Sequence, residues 1–316
     1  MNNPASMRLI FVATGDIALP AFRYLLDRGP PPLALVTQPD KPAGRHQTLM
    51  PPQLKLEAIK AGIPVLQPTV IGEVAADLNA LNPDVIVVMA YGQILRHNLL
   101  SLAGTATINL HASLLPRHRG ASCIQAAIDA GDAETGITAM HVIRELDAGD
   151  VIFAKSIRIA PVETGGGLHD LLADLAPEVL AETLQRLAAG TAARLPQDAS
   201  LATYAPKLER ANGEIDWSSD ATALERRIRA YEPWPGTFAY VREADQTKRL
   251  KIFPPVEVCD CPLQPGEFSA VDGKLRVGCA AGAICIHELQ PEGGRRMSAT
   301  DFLRGRQLHG QSFRVP

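Results

Sequence analysis

Asn109 and His111 stand two residues apart in Thr107-Ile108-Asn109-Leu110-His111, and Asp147 stands in Glu145-Leu146-Asp147-Ala148-Gly149-Asp150. On a strand the intervening Leu110 points the other way, so Asn109 and His111 share a face. An Asn amide can donate to a carbonyl oxygen that is becoming an oxyanion. A neighbouring histidine can add a second donor or move a proton. A carboxylate near that ring can hold it, raise its pKa and join the proton transfer. The spacing alone does not single these residues out. A satisfied strand-end pair and a turn-forming aspartate fit the same positions, and Asp150 competes with Asp147 as the carboxylate.

Three other segments carry chemistry-bearing groups. Thr14-Gly15-Asp16 has one glycine and no GxGxxG pattern, so a dinucleotide is not expected there. It reads equally as a capping turn or a substrate-binding turn. Ala90-Tyr91-Gly92-Gln93 can offer backbone groups to a flat heterocycle, or simply turn the chain at Gly92. Residues 38–52 form a connection of about 15 residues where roughly 2 to 6 are usual. Lys41, Arg45 and His46 make it basic, which suits a lid or a nucleic-acid contact.

These groups need a scaffold that places them together. Short apolar runs at 9–13, 33–37, 84–89 and 107–110 read as strands. Helical patterns run through Ala21, Tyr24 and Leu25, over 53–61, and over 73–81. Strands apolar on both faces and separated by helices imply a parallel sheet covered on both sides. In such sheets ligands bind beyond the carboxyl ends of the strands, which is where Thr14, Ala90 and Asn109 fall. Strands at 137–142 and 151–159 flank the Asp147 turn, and a helix follows over 168–187. Residues 191–206 lack periodicity and contain two prolines, so they read as a linker between a 1–190 domain and a 207–316 domain. The second domain shows a helix over 221–230 and short strands at 237–241, 250–253, 266–271, 274–279 and 283–289, the pattern of a small β-barrel.

Composition narrows the class. A hydrophobic share of 46% and a charged share of 21% suit a soluble globular protein of about two domains. No apolar run approaches the ~20 residues that cross a bilayer. The short polar start, Met1 to Met7, reads as neither a signal nor a transit peptide, and Met7 could serve as the start, so a cytoplasmic location is expected. The net charge of -3 gives no overall attraction to nucleic acid. From Lys207 onward, however, 16 Lys and Arg stand against 15 Asp and Glu, and the clusters Arg226-Arg227-x-Arg229, Lys248-Arg249-x-Lys251 and Arg295-Arg296 are local exceptions. Cys123, Cys259, Cys261, Cys279 and Cys285 are read as reduced thiols. Cys285 and His287 on one strand keep a metal reading open, with packing the simpler account.

The chain resembles the methionyl-tRNA formyltransferase family from about Met7 to near its end. The segments that carry the resemblance are Gln38-Pro39-Asp40-Lys41-Pro42-Ala43-Gly44-Arg45, Ala90-Tyr91-Gly92-Gln93-Ile94-Leu95, and Ile108-Asn109-Leu110-His111-Ala112-Ser113-Leu114-Leu115-Pro116-Arg117-His118-Arg119-Gly120. Gly131-Asp132-Ala133-Glu134-Thr135-Gly136, Leu146-Asp147-Ala148-Gly149-Asp150, Ile215-Asp216-Trp217 and Pro233-Trp234-Pro235-Gly236-Thr237 extend it. The resemblance implies a Rossmann-like formyltransferase domain followed by an OB-like β-barrel that binds tRNA. It implies 10-formyltetrahydrofolate as donor, initiator methionyl-tRNA as acceptor, and no metal. Asn109, His111 and Asp147 then become catalytic. Tyr91, Gly92, Gln93, Ile94, Leu95, Ser113, Leu114, Leu115 and Pro116 become folate-binding. Lys41, Arg45, Arg226, Arg227, Lys248 and Arg249 become candidate tRNA contacts. The chain departs from the pattern at Ala13-Thr14-Gly15-Asp16-Ile17, at Ala112 where Gly is frequent, and at Cys123 where Pro is common. A monomer is expected. The competing readings are a formyltransferase for a small amine such as a sugar nucleotide or glycinamide ribonucleotide, a formyl-folate hydrolase, and a catalytically silent RNA-binding module.

Overall fold

The computed structural model describes residues 4–43, 48–95, 97–243, 246–271, 273–304, 313 and 315. The chain divides into two compact units. The first comprises Met1–Cys123, Glu134–Arg158 and His169–Pro206. The second comprises Ile124–Ala133, Ile159–Leu168 and Lys207–Pro316.

The first unit opens with β1 (Leu9–Ala13), α1 (Leu19–Asp27), β2 (Ala34–Val36), β3 (Lys41–Ala43), β4 (Thr48–Met50), α2 (Gln53–Lys60) and β5 (Val65–Leu66). It continues with α3 (Ala75–Ala80), β6 (Val85–Met89), α4 (His97–Leu100) and β7 (Ala106–His111). After α5 (Cys123–Ala130), which lies in the second unit except for Cys123, come β8 (Glu134–His141) and β9 (Val151–Arg158). α6 (Gly165–Ala189) follows, and from His169 onward it belongs to the first unit.

Seven strands form one sheet in the order β5-β2-β1-β6-β7-β8-β9. The five from β5 to β7 are parallel, and β8 and β9 add on antiparallel. β1 and β6 are buried at every residue, which is why their sequences are unbroken apolar runs. From β1 the chain winds outward to β2 and β5, then returns to lay β6 on the other side of β1. That reversal opens the crevice where such sheets bind ligands. The N–H groups of Thr14 and Gly15 both donate to the Ala90 carbonyl, at 3.3 and 3.0 Å, so the turns after β1 and β6 are tied together at its mouth.

Two parts of the first unit are more ordered than their sequences suggest. The long connection over 38–52 carries a two-stranded antiparallel hairpin, with Lys41 opposite Met50 and Ala43 opposite Thr48. Arg45 and His46 lie outside the described residues. The stretch 191–206, read as a linker, is held down by backbone pairs. Leu195 and Val151 exchange two hydrogen bonds, of 2.8 and 3.1 Å. Arg119 donates to the Thr203 carbonyl, and its own carbonyl accepts from Ala205. Isolated bridges of this kind require no periodic pattern, so composition alone reads the stretch as loose.

The second unit adds α7 (Ala221–Ala230), β10 (Thr237–Glu243), β11 (Gln246–Cys259), β12 (Phe268–Val271), β13 (Lys274–Gly278), β14 (Ala283–Pro291), β15 (Met297–Ser298) and α8 (Ala299–Arg304). α7 starts where expected because the Asp220 carboxylate accepts from the N–H groups of Thr222 and Ala223. The strands form an antiparallel sheet in the order β10-β11-β14-β13-β12, with β15 paired to β14. Phe313 bridges Val241 of β10 and donates its N–H to the Gly266 carbonyl just before β12, so the two ends of the sheet meet there and close a small barrel. Trp217, Leu250, Ile252, Val277, Ile284 and Phe313 are among the residues that fill it.

Candidate active site

β7 delivers Asn109 and His111 to the carboxyl end of the parallel sheet, with Asn109 paired to Val88 of β6 and to Met140 of β8. Asp147 arrives from the loop between β8 and β9. Its Oδ1 lies 3.5 Å from Asn109 Nδ2, and its Oδ2 lies 3.7 Å from His111 Nδ1. The Gly120 N–H donates to the same Oδ2 at 2.8 Å. On the other side of the ring, His111 Nε2 is 2.9 Å from the His118 carbonyl. A carbonyl can only accept, so Nε2 carries a proton. The side chains of His111 and Asp147 are only 8% and 10% exposed, which leaves their attraction weakly screened. Asp150 turns elsewhere, 3.7 Å from Arg194 Nη1. Asp147 is therefore the carboxylate that meets the pair.

The Asp147 loop is held in an unusual shape. Asp147 itself has φ of +50°, a conformation that costs a non-glycine residue about 1 to 3 kcal/mol and persists only where its surroundings impose it. Gln197 imposes it. Its Nε2 donates to the carbonyls of both Asp147 and Gly149, each at 2.8 Å. Its Oε1 accepts from Arg119 Nε and Nη2 at 3.2 and 2.7 Å. Gly149 is needed for a different reason: a Cβ there would stand 1.8 Å from the His141 carbonyl oxygen. Neither Gln197 nor the His118 carbonyl is legible as a site residue in the sequence.

Burial opposes charge on His111, and three neighbours outweigh it. The Cys123 sulfur, the Asp147 carboxylate and the His118 carbonyl together raise its pKa from 6.5 to about 9. The ring is biased toward the imidazolium form, with Nε2 on the His118 carbonyl and Nδ1 facing the Asp147 carboxylate at 3.7 Å. Cys123, which opens α5, has an electrostatic role here that packing considerations would not assign to it.

The remaining expected residues divide into open and committed groups. Leu114, Leu115 and Pro116 are half-buried, while Gly92 and Ile94 are exposed, so these positions can meet a ligand. Gly92 has φ of +83°, and Gln38 Nε2 donates to the Tyr91 carbonyl beside it at 2.8 Å. Tyr91 and Leu95 sit in the core beside β6, and burial pushes the Tyr91 hydroxyl up to about 12. The Gln93 amide is used by the backbone of Thr69 and Ile71. Buried Ser113 donates to the Arg117 carbonyl and accepts at its own carbonyl from Thr138, whose hydroxyl also accepts from the Leu115 N–H. Ser113 therefore shapes the segment from within. A hollow of about 250 Å³ lies under the hairpin, lined by Thr14, Asp16, Lys41, Met50 and the prolines of the loop. Asn109, His111 and Asp147 do not line it.

In the second unit Arg226 donates to the Asp129 carbonyl, and Arg227 pairs with the Asp129 carboxylate at 3.3 Å. Arg249 is exposed and stacks over Phe238 at 5.5 Å. Phe238 pairs with Lys251, and Tyr240 with Arg249 and edge-on with Phe238. Lys248 is half-buried on the opposite strand face. The aromatic members of this strip escaped the sequence reading because β10 shows them only as ordinary alternation. Lys41 donates to Gln38 Oε1 at 2.8 Å.

The formyl transferase family model matches residues 29–184, and the model for the formyl transferase C-terminal domain matches residues 207–307. A methionyl-tRNA formyltransferase from Akkermansia muciniphila is 49% identical over 304 residues, covering 95% of this chain and 96% of the relative. The chain belongs to the methionyl-tRNA formyltransferase family. A second member, from Geobacter metallireducens, is 44% identical over 96% of this chain and 97% of its own length. Among solved structures, the N-formyltransferase from Helicobacter canadensis in complex with folinic acid and dTDP-3-aminofucose superposes with a TM-score of 0.64 at 15% identity, over 92% of this chain and 100% of that one. HypX from Aquifex aeolicus in complex with tetrahydrofolic acid gives 0.59 at 20% identity, over 96% of this chain and 48% of that one. At these identities the two structures support the shared fold alone. The mostly parallel sheet followed by an antiparallel barrel is the arrangement expected from the sequence. No helix among the described residues is long and apolar enough to cross a membrane.

Proposed function

We propose that this chain moves the formyl group of 10-formyltetrahydrofolate onto the amino group of methionine carried by initiator tRNA. The observation that carries the chemistry is the convergence of Asn109 and His111 on the Asp147 carboxylate at the carboxyl end of the sheet. Family membership across both units supports the donor and the acceptor. The neutral amine attacks the formyl carbon, and the carbonyl oxygen takes up negative charge. His111 is buried while Asn109 and Asp147 are partly exposed, and the Asn109 amide is the uncharged donor able to turn from Asp147 to that oxygen. His111 keeps Nε2 on the His118 carbonyl and Nδ1 toward the Asp147 carboxylate, and contributes positive charge from behind. Asp147 accepts the proton leaving the amine and passes it to the folate nitrogen as the carbon–nitrogen bond to the carrier breaks. The formyl group arrives already activated, so the proposed cycle needs no metal. Leu114 to Pro116, with Gly92 and Ile94, is the proposed pterin-facing surface. The strip of Arg249, Lys251, Phe238 and Tyr240 is the proposed tRNA contact, since basic groups interleaved with aromatics suit phosphate and base together. Translation would place this work in the cytoplasm.

The direct test supplies 10-formyltetrahydrofolate and charged initiator tRNA and measures formylmethionine. Asn109→Ala should lower turnover at saturating substrate by roughly 100- to 1000-fold, the usual cost of one oxyanion donor. Full turnover in that variant would end the oxyanion role. Formylation of a small amine in place of the tRNA would overturn the acceptor.

A further inference from the structure

We propose that Glu257, Cys285 and His287 form a binding site for a single zinc-type divalent cation on the outer face of the second unit's barrel. The strand register creates the cluster. Glu257 of β11 stands directly opposite Cys285 of β14. His287 follows two residues on, and so projects from the same face. The other face of β14 carries Ile284 and Ile286 into the core, which leaves these three side chains outside that cluster, with Glu257 exposed and Cys285 itself buried at 3% exposure. Their ligand atoms all lie within 4.8 Å of one another, and His287 Nε2 is 3.3 Å from Glu257 Oε1. Tetrahedral zinc, with bonds of about 2.0 to 2.3 Å, sets ligand atoms roughly 3.5 Å apart. The ligand atoms stand at most about 1.3 Å farther apart than that spacing.

The donor chemistry selects the ion. A thiolate, an imidazole and one carboxylate suit zinc and similar borderline-soft metals, whereas magnesium and calcium want oxygen throughout. Three protein ligands leave a position for water. Arg276, paired with Cys285 from β13, and Lys274 both favour the thiolate that a metal needs, while burial first and Glu257 second hold the thiol above its ordinary range. Cys259 shares the outer face two residues beyond Glu257. It is the nearest further thiol along β11 and is electrostatically coupled to Cys285. Metal entry therefore displaces the Cys285 proton, and affinity rises with pH. A bound ion would clip β11 to β14. The site lies apart from Asn109, His111 and Asp147 in sequence and in structural unit, and the inference does not depend on the proposed reaction.

The test titrates metal-free, full-length protein with Co2+ and then Zn2+. One Co2+ per chain should give a thiolate-to-metal charge-transfer band in the near ultraviolet, and Zn2+ should abolish it. Losing a partner that only supports a ligand already costs roughly 10- to 100-fold in affinity. Cys285→Ser should therefore remove the band, and His287→Ala, at a half-exposed position that a substitution does not unfold, should weaken binding at least tenfold. Absence of a band in the native chain, or a band that survives both substitutions, overturns the site.

Discussion

Replacing Gln197 by Leu should lower turnover far more than its distance from the reacting atoms would suggest. The amide makes two 2.8 Å hydrogen bonds to the carbonyls of Asp147 and Gly149 and accepts two from Arg119. A neutral hydrogen bond is worth about 1 kcal/mol net, and one to a charged group roughly 1.5 to 3. Gln197 is half-buried, so water can replace part of this, and the expected loss of stability is about 2 kcal/mol. The larger consequence is geometric. Asp147 is held at φ of +50° against its own preference, and removing the two bonds lets the loop relax. A displacement of about 1 Å in a catalytic group can cost on the order of 100-fold in rate. Steady-state turnover at saturating donor and tRNA, beside a urea melt, separates the two effects. Gln197→Glu adds a control, because it keeps a partner for Arg119 while losing both donations to the loop. Turnover should fall in both variants. If Leu lowers stability but leaves turnover unchanged, or if Glu restores full rate, Gln197 does not position Asp147.

Three further outcomes follow from the same geometry. His111 has a folded-state pKa raised from 6.5 to about 9, so its charge stabilises the fold fully below pH 6.5, and this contribution fades as pH rises through 9. At about 1.4 kcal/mol per tenfold, it amounts to roughly 3 kcal/mol, so the stability gap between the native chain and His111→Gln should narrow between pH 6.5 and 10, and a constant gap would refute it. Cys123→Ala should move the His111 titration, followed by NMR of the ring proton, down from about 9 toward 6.5, and an unmoved titration would remove Cys123 from the site. Gly149→Ala would put a methyl 1.8 Å from the His141 oxygen, so it should either abolish folding or shift Asp147 enough to lose most activity; a fully active, stable variant would contradict the packing.

The parts of the fold that sequence patterns convey are those with strong periodicity or a cap. β1 and β6 are legible because burial on both faces demands continuous apolar runs, and α7 because its helical pattern over 221–230 is unbroken. β5 and β15, two residues each, leave too little pattern to find. The hairpin of β3 and β4 is hidden for another reason: Lys41, Pro42 and Thr48 to Met50 are exposed, so alternation has nothing to report. Within the site, Asn109 and His111 stand out by their place at a strand end and by the family motifs around them. Asp147 and Asp150 are equivalent as turn aspartates in sequence. The choice between them is made by the chain folding Gly120 and His111 against one carboxylate and Arg194 against the other.

What the sequence conceals most completely is support supplied by carbonyls and by distant amides. His118 acts through its backbone oxygen, which any residue possesses, so no side-chain pattern can reveal it. Gln197 acts from a stretch with no periodicity, some 50 residues beyond Asp147. Yet these two shape the proposed site. The His118 carbonyl fixes a proton on Nε2, which leaves Nδ1 to face the carboxylate. Gln197 holds that carboxylate where Nδ1 and the Asn109 amide both reach it. The charge on His111, the aim of Asn109 and the position of the Asp147 carboxylate are therefore one coupled quantity. A substitution that moves the loop changes all three, so their separate contributions will not add.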